Sequence, residues 1–331
     1  MNPDIDVTAT GFSLKTAYYL VKVCALTYNS PLGAGLDELG LANARAAPFE
    51  FGKLHGFVAT PDGYVVLGFR GTDSIATWLT DDQIIQLERP PYPGKVHRGF
   101  ADALDGIWTK LKTMLLQTLD NRPLYVTGHS LGGALASLAA YRLAKEGKPV
   151  RATYTFGSPR VGNLDFYSGY NVVNYRFVHN NDLVPHVPLE FLLIGVSAAD
   201  RALFGHPVQG LLHFVYKHVG TLKYLDRNGR LGEGMSDWEQ KKEFLAMALM
   251  RGQGTFEPAA IADHHIQNYV QAVGQALQSS MPGQGASVAA AAAVVAVPAA
   301  VAGGAQTLAI PEAAKPKPGD QVLQGEQPHD Q

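Results

Sequence analysis

Ser130 has a glycine two residues away on either side, in Gly128-His129-Ser130-Leu131-Gly132. An apolar run, Leu124 to Val126, precedes the motif. A strong helix former, Ala-Leu-Ala-Ser-Leu-Ala-Ala-Tyr-Arg-Leu-Ala, follows Gly133. The chemistry this order suits is nucleophilic acyl transfer. A serine at a sharp strand-to-helix bend is held in a strained conformation with its hydroxyl pushed outward. Side chains two residues before and after it would collide, so both positions call for glycine. The helix behind it turns its N-terminal N–H groups toward the site, which favours developing negative charge. A Gly-Ser loop that merely caps a helix shares the spacing. The strand before and the helix after are the context that the nucleophile turn requires.

A serine nucleophile on such a turn needs an acid and then a histidine, in that chain order. Asp182 closes His179-Asn180-Asn181-Asp182, at the end of the strand-like run Asn171 to Val178. Asn-Asn-Asp is ordinary turn vocabulary, and the required order is what singles Asp182 out. The candidates among the later histidines are His186, His206, His213, His218, His264 and His265. His186 stands too close to the acid to occupy a separate loop. His213 and His218 fall in an aromatic-rich, strand-like run. His264 and His265 open a helix at a loop junction, and from the residues alone either could be the base. His97, which precedes the serine, reads as a hydrogen-bonded structural histidine.

An oxyanion needs donors. The N–H of Leu131, directly after the nucleophile, is one. Thr72, in Phe69-Arg70-Gly71-Thr72-Asp73, is placed to supply a second, and a simple turn cap fits it equally well. Paired histidines suggest a metal, but no His-Glu-x-x-His and no third ligand at useful spacing accompany them. Asp226-Arg227-Asn228-Gly229 lacks the further acids of a calcium loop and reads as a hairpin turn. The chemistry needs no metal and no organic cofactor.

These residues must be carried by a scaffold. Val150 to Phe156 and Asn171 to Val178 continue a strand–helix alternation on either side of a short helical piece, Gly162 to Tyr170. That rhythm predicts an α/β fold with a mostly parallel central sheet, helices on both faces, and chemistry at the strand C-terminal ends. Leu54 to Thr60 and Tyr64 to Arg70 form a hairpin around Pro61-Asp62-Gly63. Leu14, Ala17, Tyr18, Val21 and Ala25 recur at helical spacing and predict an amphipathic helix packed on the domain. Gly33 to Phe51 reads as loop-rich and is otherwise uninformative. Ile75, Trp78 and Leu79 in Ser74 to Asp82 lie at helical spacing. They suit a mobile cover, an interface contact or core packing, of which core packing is the commoner outcome.

The chain has 331 residues, 46% of them hydrophobic, which supplies a sizeable core. With 27 Lys and Arg against 29 Asp and Glu, and no basic cluster, nucleic acid binding has little support. One cysteine, Cys24, leaves no internal disulfide and no thiolate cluster, and it reads as a core residue. The N-terminal stretch lacks the pattern of a Sec signal, and no run reads as a membrane span. The expectation is a cytoplasmic protein or one exported by a signal-independent route. From Ser279 the composition turns to Ala, Gly, Pro and Gln, so residues 1–278 are expected to form the catalytic domain and 279–331 a disordered tail.

Taken together, the motifs resemble the class 3 (fungal-type) triacylglycerol lipases of the α/β-hydrolase superfamily. The resemblance runs from about Leu14 to Leu277. It rests on Gly68 to Thr72, Val96 to Phe100, Val126 to Gly133, Thr155 to Gly162, Asn181 to Pro185 and Asp263 to Tyr269, in that order. It implies Ser130 as nucleophile, Asp182 as acid, His264 as base, and Thr72 with Leu131 N–H as oxyanion donors. It also implies a lid over Ser74 to roughly Glu88, which includes Ser74, Ile75, Trp78 and Leu79. The implied substrate is a lipid or other ester, in solution or at an oil–water interface; a carboxylesterase, phospholipase or feruloyl-type esterase would use the same scaffold. A non-catalytic binding scaffold is disfavoured by the intact Ser, Asp and His set. The oligomeric state is not implied. Residues 186–262 look longer than in compact fungal members and read as added core or local cover, ahead of a membrane-contacting patch. The family's secreted, disulfide-bonded habit is not carried over, since neither a signal pattern nor a cysteine pair is present.

Overall fold

The computed structural model describes residues 5, 7, 9–29, 35–41, 45–52, 54–72, 85–188, 215–232 and 262–281. They belong to a compact unit spanning Met1–Gln284. The expected tail from 282 onward, most of the 186–262 segment, and the lid candidates Ser74, Ile75, Trp78 and Leu79 lie outside the described residues. The far end of the expected lid stretch is described, and it is a short strand, Gln86–Glu88.

The main sheet has eight strands: β1 (Arg45–Phe51), β2 (Leu54–Thr60), β3 (Val65–Phe69), β6 (Leu124–His129), β7 (Val150–Phe156), β9 (Asn174–His179), β11 (Thr221–Leu225) and β12 (Leu231–Gly232), in that spatial order. The hairpin strands β1, β2 and β3 are antiparallel. From β3 through β6, β7, β9 and β11 every pairing is parallel. β12 returns antiparallel through the turn expected at Asp226 to Gly229. A second, antiparallel sheet joins β4 (Gln86–Glu88), β5 (Lys95–His97), β8 (Gly162–Asn163) and β10 (Tyr216–Lys217). The architecture is the α/β-hydrolase fold, as the strand–helix alternation predicts.

Alternation along the central strands divides two cores. Val65, Leu67, Phe69, Leu124 and Val126 face α2 (Arg98–Leu116) and α3 (Leu131–Lys145). Val66, Tyr125, Tyr154 and Phe177 face α1 (Leu14–Leu26) and α5 (Ile266–Ser279). Burial on both faces explains why these strands read as continuous apolar runs.

Two expectations need correction. Gly33 to Phe51 is not all loop: it holds a 3-10 turn at Asp37–Leu39 and the whole of β1. Pro48 and the charged Arg45 and Glu50 hide the strand signal, and β1 tolerates the proline because it lies at the sheet edge. The buried face of α1 is also rotated from the expected stripe. Ala17, Leu20, Val21 and Cys24 are buried, whereas Leu14, Tyr18 and Ala25 are only partly so. The helix packs on both the sheet and α5, and Tyr18 lies over the seam, where a Cβ on Gly274 would come within 3.0 Å of its ring.

Candidate active site

Ser130 follows the last residue of β6 and caps α3 with φ 58° and ψ −130°, a backbone conformation that costs about 1–3 kcal/mol. Its N–H donates to Phe156 O at 2.9 Å, which ties the turn to the end of β7. The surrounding glycines are required by close approach. A Cβ on Gly128 would sit 2.1 Å from Gly132 O, and one on Gly132 would sit 2.3 Å from Phe69 O. The turn and the helix start therefore press directly against β3. Leu131 is the first residue of α3, so its N–H has no partner within the helix.

Asp182 follows β9 in a tight turn, closed by its N–H to His179 O at 2.9 Å. Its carboxylate is fully buried and takes donors from three directions. His264 Nδ1 lies 2.9 Å from Oδ1 and 2.8 Å from Oδ2, Tyr269 Oη donates to Oδ2 at 2.6 Å, and Val184 N donates to Oδ1 at 2.9 Å. A buried carboxylate demands such donors. With Nδ1 committed to Asp182, His264 Nε2 is buried and has no hydrogen-bond partner among the described residues. Both ring and carboxylate border Gly157 (φ 59°), where a Cβ would lie 2.8 Å from His264 Cε1 and 2.9 Å from Asp182 Oδ2.

The loops bearing acid and base are laced together by backbone and side chain. Asp263 Oδ2 accepts from Asn180 Nδ2 at 2.9 Å and from Asn181 N at 3.1 Å. Asp263 O accepts from His179 Nδ1 at 3.2 Å. Tyr269 Oη, besides donating to Asp182, accepts from His179 N at 3.1 Å. Burial, reinforced by the neighbouring Asp182 charge and its hydrogen bond, holds the Tyr269 phenol well above its usual pKa, so it stays a donor.

The strand end Phe69-Arg70-Gly71-Thr72 lies beside the serine. A Cβ on Gly71 would meet Ser130 Cβ at 2.9 Å and His129 O at 2.8 Å. Thr72 is the next residue along the chain. His97 sits elsewhere: its Nδ1 accepts from Phe100 N at 3.4 Å and caps α2. Burial lowers its pKa to about 4.

The fold thus pairs Asp182 with His264 and sets Gly71, the residue before Thr72, against Ser130. Of the two candidate histidines it puts His264 on Asp182 and leaves His265 exposed. Sequence reasoning passed over Tyr28, His129, Gly157 and Tyr269 as individuals. His129 and Tyr269 lie inside motifs quoted above, but nothing in their spacing reveals what they bond to. Among the described residues no cluster of three or more His, Cys, Asp or Glu could hold a metal ion. No described helix is long and apolar enough to cross a membrane.

Residues 66–192 match the family described as Lipase (class 3). That segment contains Thr72, Ser130, Leu131 and Asp182, while His264 lies beyond it. The chain is similar to a lipase of Rhizomucor miehei, 38% identical over 136 residues, or 38% of this chain and 37% of that protein. It is also similar to secreted mono- and diacylglycerol lipase 1 of Fusarium solani, 36% identical over 142 residues, or 40% of this chain and 42% of that protein. The matched stretches span about two-fifths of these relatives' lengths. Among solved structures, the lipase from Rhizopus microsporus var. chinensis superposes with a TM-score of 0.51 at 26% identity, covering 67% of this chain and 79% of that one.

Proposed function

We propose that this protein is a serine hydrolase of carboxylic esters, a triacylglycerol lipase of the class 3 type. Ser130 is its nucleophile, His264 its base and Asp182 the acid that orients the base. The observation that carries the reading is the state of His264: Nδ1 is held by a buried carboxylate, and the buried Nε2 has no hydrogen-bond partner among the described residues. That is the arrangement of an imidazole ready to take a proton.

In the proposed reaction Ser130 Oγ attacks the ester carbonyl carbon as its proton passes to His264 Nε2. The carbonyl π electrons move onto oxygen, and the oxyanion accepts hydrogen bonds from Leu131 N–H and Thr72. Losing one such donor costs about 3 kcal/mol of barrier. The carbon–alkoxy bond then breaks, and His264 returns its proton to the leaving alkoxide. Water attacks the acyl-enzyme by the same route, giving its proton to His264. The acid departs as Ser130 Oγ is reprotonated. Asp182 stabilises the imidazolium formed in each half and keeps its own charge.

The lipase match over residues 66–192 supports a lipid ester as substrate. The burial of Ser130, 2% exposed, supports a covered site. The stretch holding Ser74, Ile75, Trp78 and Leu79 is our candidate for that cover. The test is hydrolysis of p-nitrophenyl esters across acyl lengths, with and without emulsified triacylglycerol, by wild type and Ser130→Ala. Activity that rises once long-chain substrate forms an interface, and vanishes in the variant, is expected. Activity confined to short soluble esters would replace lipase by carboxylesterase, and equal rates in both proteins would overturn the mechanism.

A further inference from the structure

We infer that Tyr28 and His129 are positioning residues that join the oxyanion loop to the base. A line of hydrogen bonds runs from Gly71 N–H to Tyr28 Oη (3.2 Å), from Tyr28 O–H to His129 Nδ1 (2.6 Å), and from His129 Nε2–H to the carbonyl of His264 (2.7 Å). The inference rests on the hydrolase reading above and adds to it two residues that touch neither ester nor proton.

The two ends of the line fix its direction. A backbone N–H can only donate, so Tyr28 Oη accepts from Gly71. A carbonyl can only accept, so His129 Nε2 carries a hydrogen. Burial is the main reason His129 remains neutral, and the adjacent His264 and His265 push the same way. A neutral imidazole with hydrogen on Nε2 has a bare lone pair on Nδ1. The Tyr28 hydroxyl hydrogen must point there, and a single tautomer satisfies every group.

The consequence lies in what the line connects. Gly71 immediately precedes Thr72, and a Cβ at Gly71 would strike Tyr28 Oη at 2.4 Å as well as Ser130 Cβ. His129 immediately precedes Ser130. The carbonyl it holds belongs to His264 itself. The oxyanion loop, the nucleophile turn and the backbone of the base are thus referred to one rigid frame. The rings of Tyr28, His264 and Tyr269 face His129, and the His264 ring centroid is 4.6 Å away. A cation at His129 would oppose the imidazolium that must form on His264, so a neutral His129 serves the chemistry as well as the geometry.

The experiment compares Tyr28→Phe, His129→Leu and His129→Gln with wild type. It measures kcat and KM on a soluble ester, thermal stability, and the rate of Ser130 labelling by a phosphonate ester. Nitrogen-15 NMR of the wild-type imidazoles is recorded from about pH 5 to pH 8. Tyr28→Phe and His129→Leu are expected to lose roughly ten- to hundredfold in kcat, with KM little changed in the folded protein. His129→Gln can still donate to His264 O and accept from Tyr28, and is expected to recover much of the loss. The His129 ring is expected to carry hydrogen on Nε2 alone. Unchanged kcat in folded Tyr28→Phe, or hydrogen on His129 Nδ1, would overturn the inference. If His129→Leu fails to fold, Tyr28→Phe and the NMR decide. A wild type that neither hydrolyses ester nor takes the label would overturn the hydrolase reading instead, while the tautomer still tests the line of bonds.

Discussion

Tyr269 Oη donates a 2.6 Å hydrogen bond to Asp182 Oδ2, the same oxygen that lies 2.8 Å from His264 Nδ1. One carboxylate oxygen, in a fully buried side chain, therefore answers to both a phenol from α5 and the imidazole that precedes α5. Helix α5 sets the acid as well as the base, although the acid belongs to a loop more than eighty residues earlier.

Tyr269→Phe removes that donor and leaves the ring packing in place. A hydrogen bond to a charged group is worth about 1.5–3 kcal/mol. We expect a lower Tm and a fall in kcat of roughly tenfold or more, since about 1.4 kcal/mol corresponds to a factor of ten. Thermal unfolding and steady-state kinetics measure the two. A fall in Tm with unchanged kcat would mean that Tyr269 supports the fold without holding Asp182 in register.

Gly157→Ala should act on the same pair from the opposite side. Gly157 has φ 59°, and a Cβ there would lie 2.8 Å from His264 Cε1 and 2.9 Å from Asp182 Oδ2. Relieving those contacts would shift the two partners of the Asp182–His264 hydrogen bonds. The expected result is a loss of kcat of about a hundredfold, the scale of an ångström-sized misplacement. Full activity in this variant, with its fold verified by circular dichroism, would contradict the placement of His264.

The fold was largely legible because its central strands are buried on both faces. β3, β6, β7 and β9 have cores on either side and so read as apolar runs broken by glycine turns. β1 was not legible: Pro48 and flanking charges are compatible with an edge strand only once the edge is known. At the site, Ser130 could be read from its turn, because steric demand fixes the residue types two positions away. Asp182 needed the chain-order argument, and His264 could be told from His265 only by family resemblance. Tyr28, His129 and Tyr269 were invisible in those roles, since their partners are 101, 135 and 87 residues away. No local spacing encodes a contact of that range.

Stability should fall in mild acid. His97 has a pKa of about 4 in the folded protein, lowered by burial from an ordinary 6.5. Below about pH 6.5 the unfolded chain binds the proton and the folded one does not, so stability decreases as pH drops, until the folded-state value is reached. The slope from one such group is at most about 1.4 kcal/mol per pH unit. Buried His129 and His218, both lowered chiefly by burial, act in the same direction. His97→Asn retains a good N-cap for α2 and removes one titration. Its Tm between about pH 6.5 and pH 4 is expected to decline less steeply than that of wild type; parallel curves would contradict the neutral, buried His97.

The most direct test of the central claim is covalent trapping of the nucleophile. Wild type, Ser130→Ala and His264→Ala are incubated with a p-nitrophenyl phosphonate ester, whose tetrahedral phosphorus mimics the acylation transition state. Released p-nitrophenol is followed in time, and the modified peptide is found by mass spectrometry. The account predicts one adduct per chain, on Ser130, absent in Ser130→Ala and slowed by at least about a thousandfold in His264→Ala. An adduct on another residue, or equal ester hydrolysis by wild type and Ser130→Ala, would contradict it.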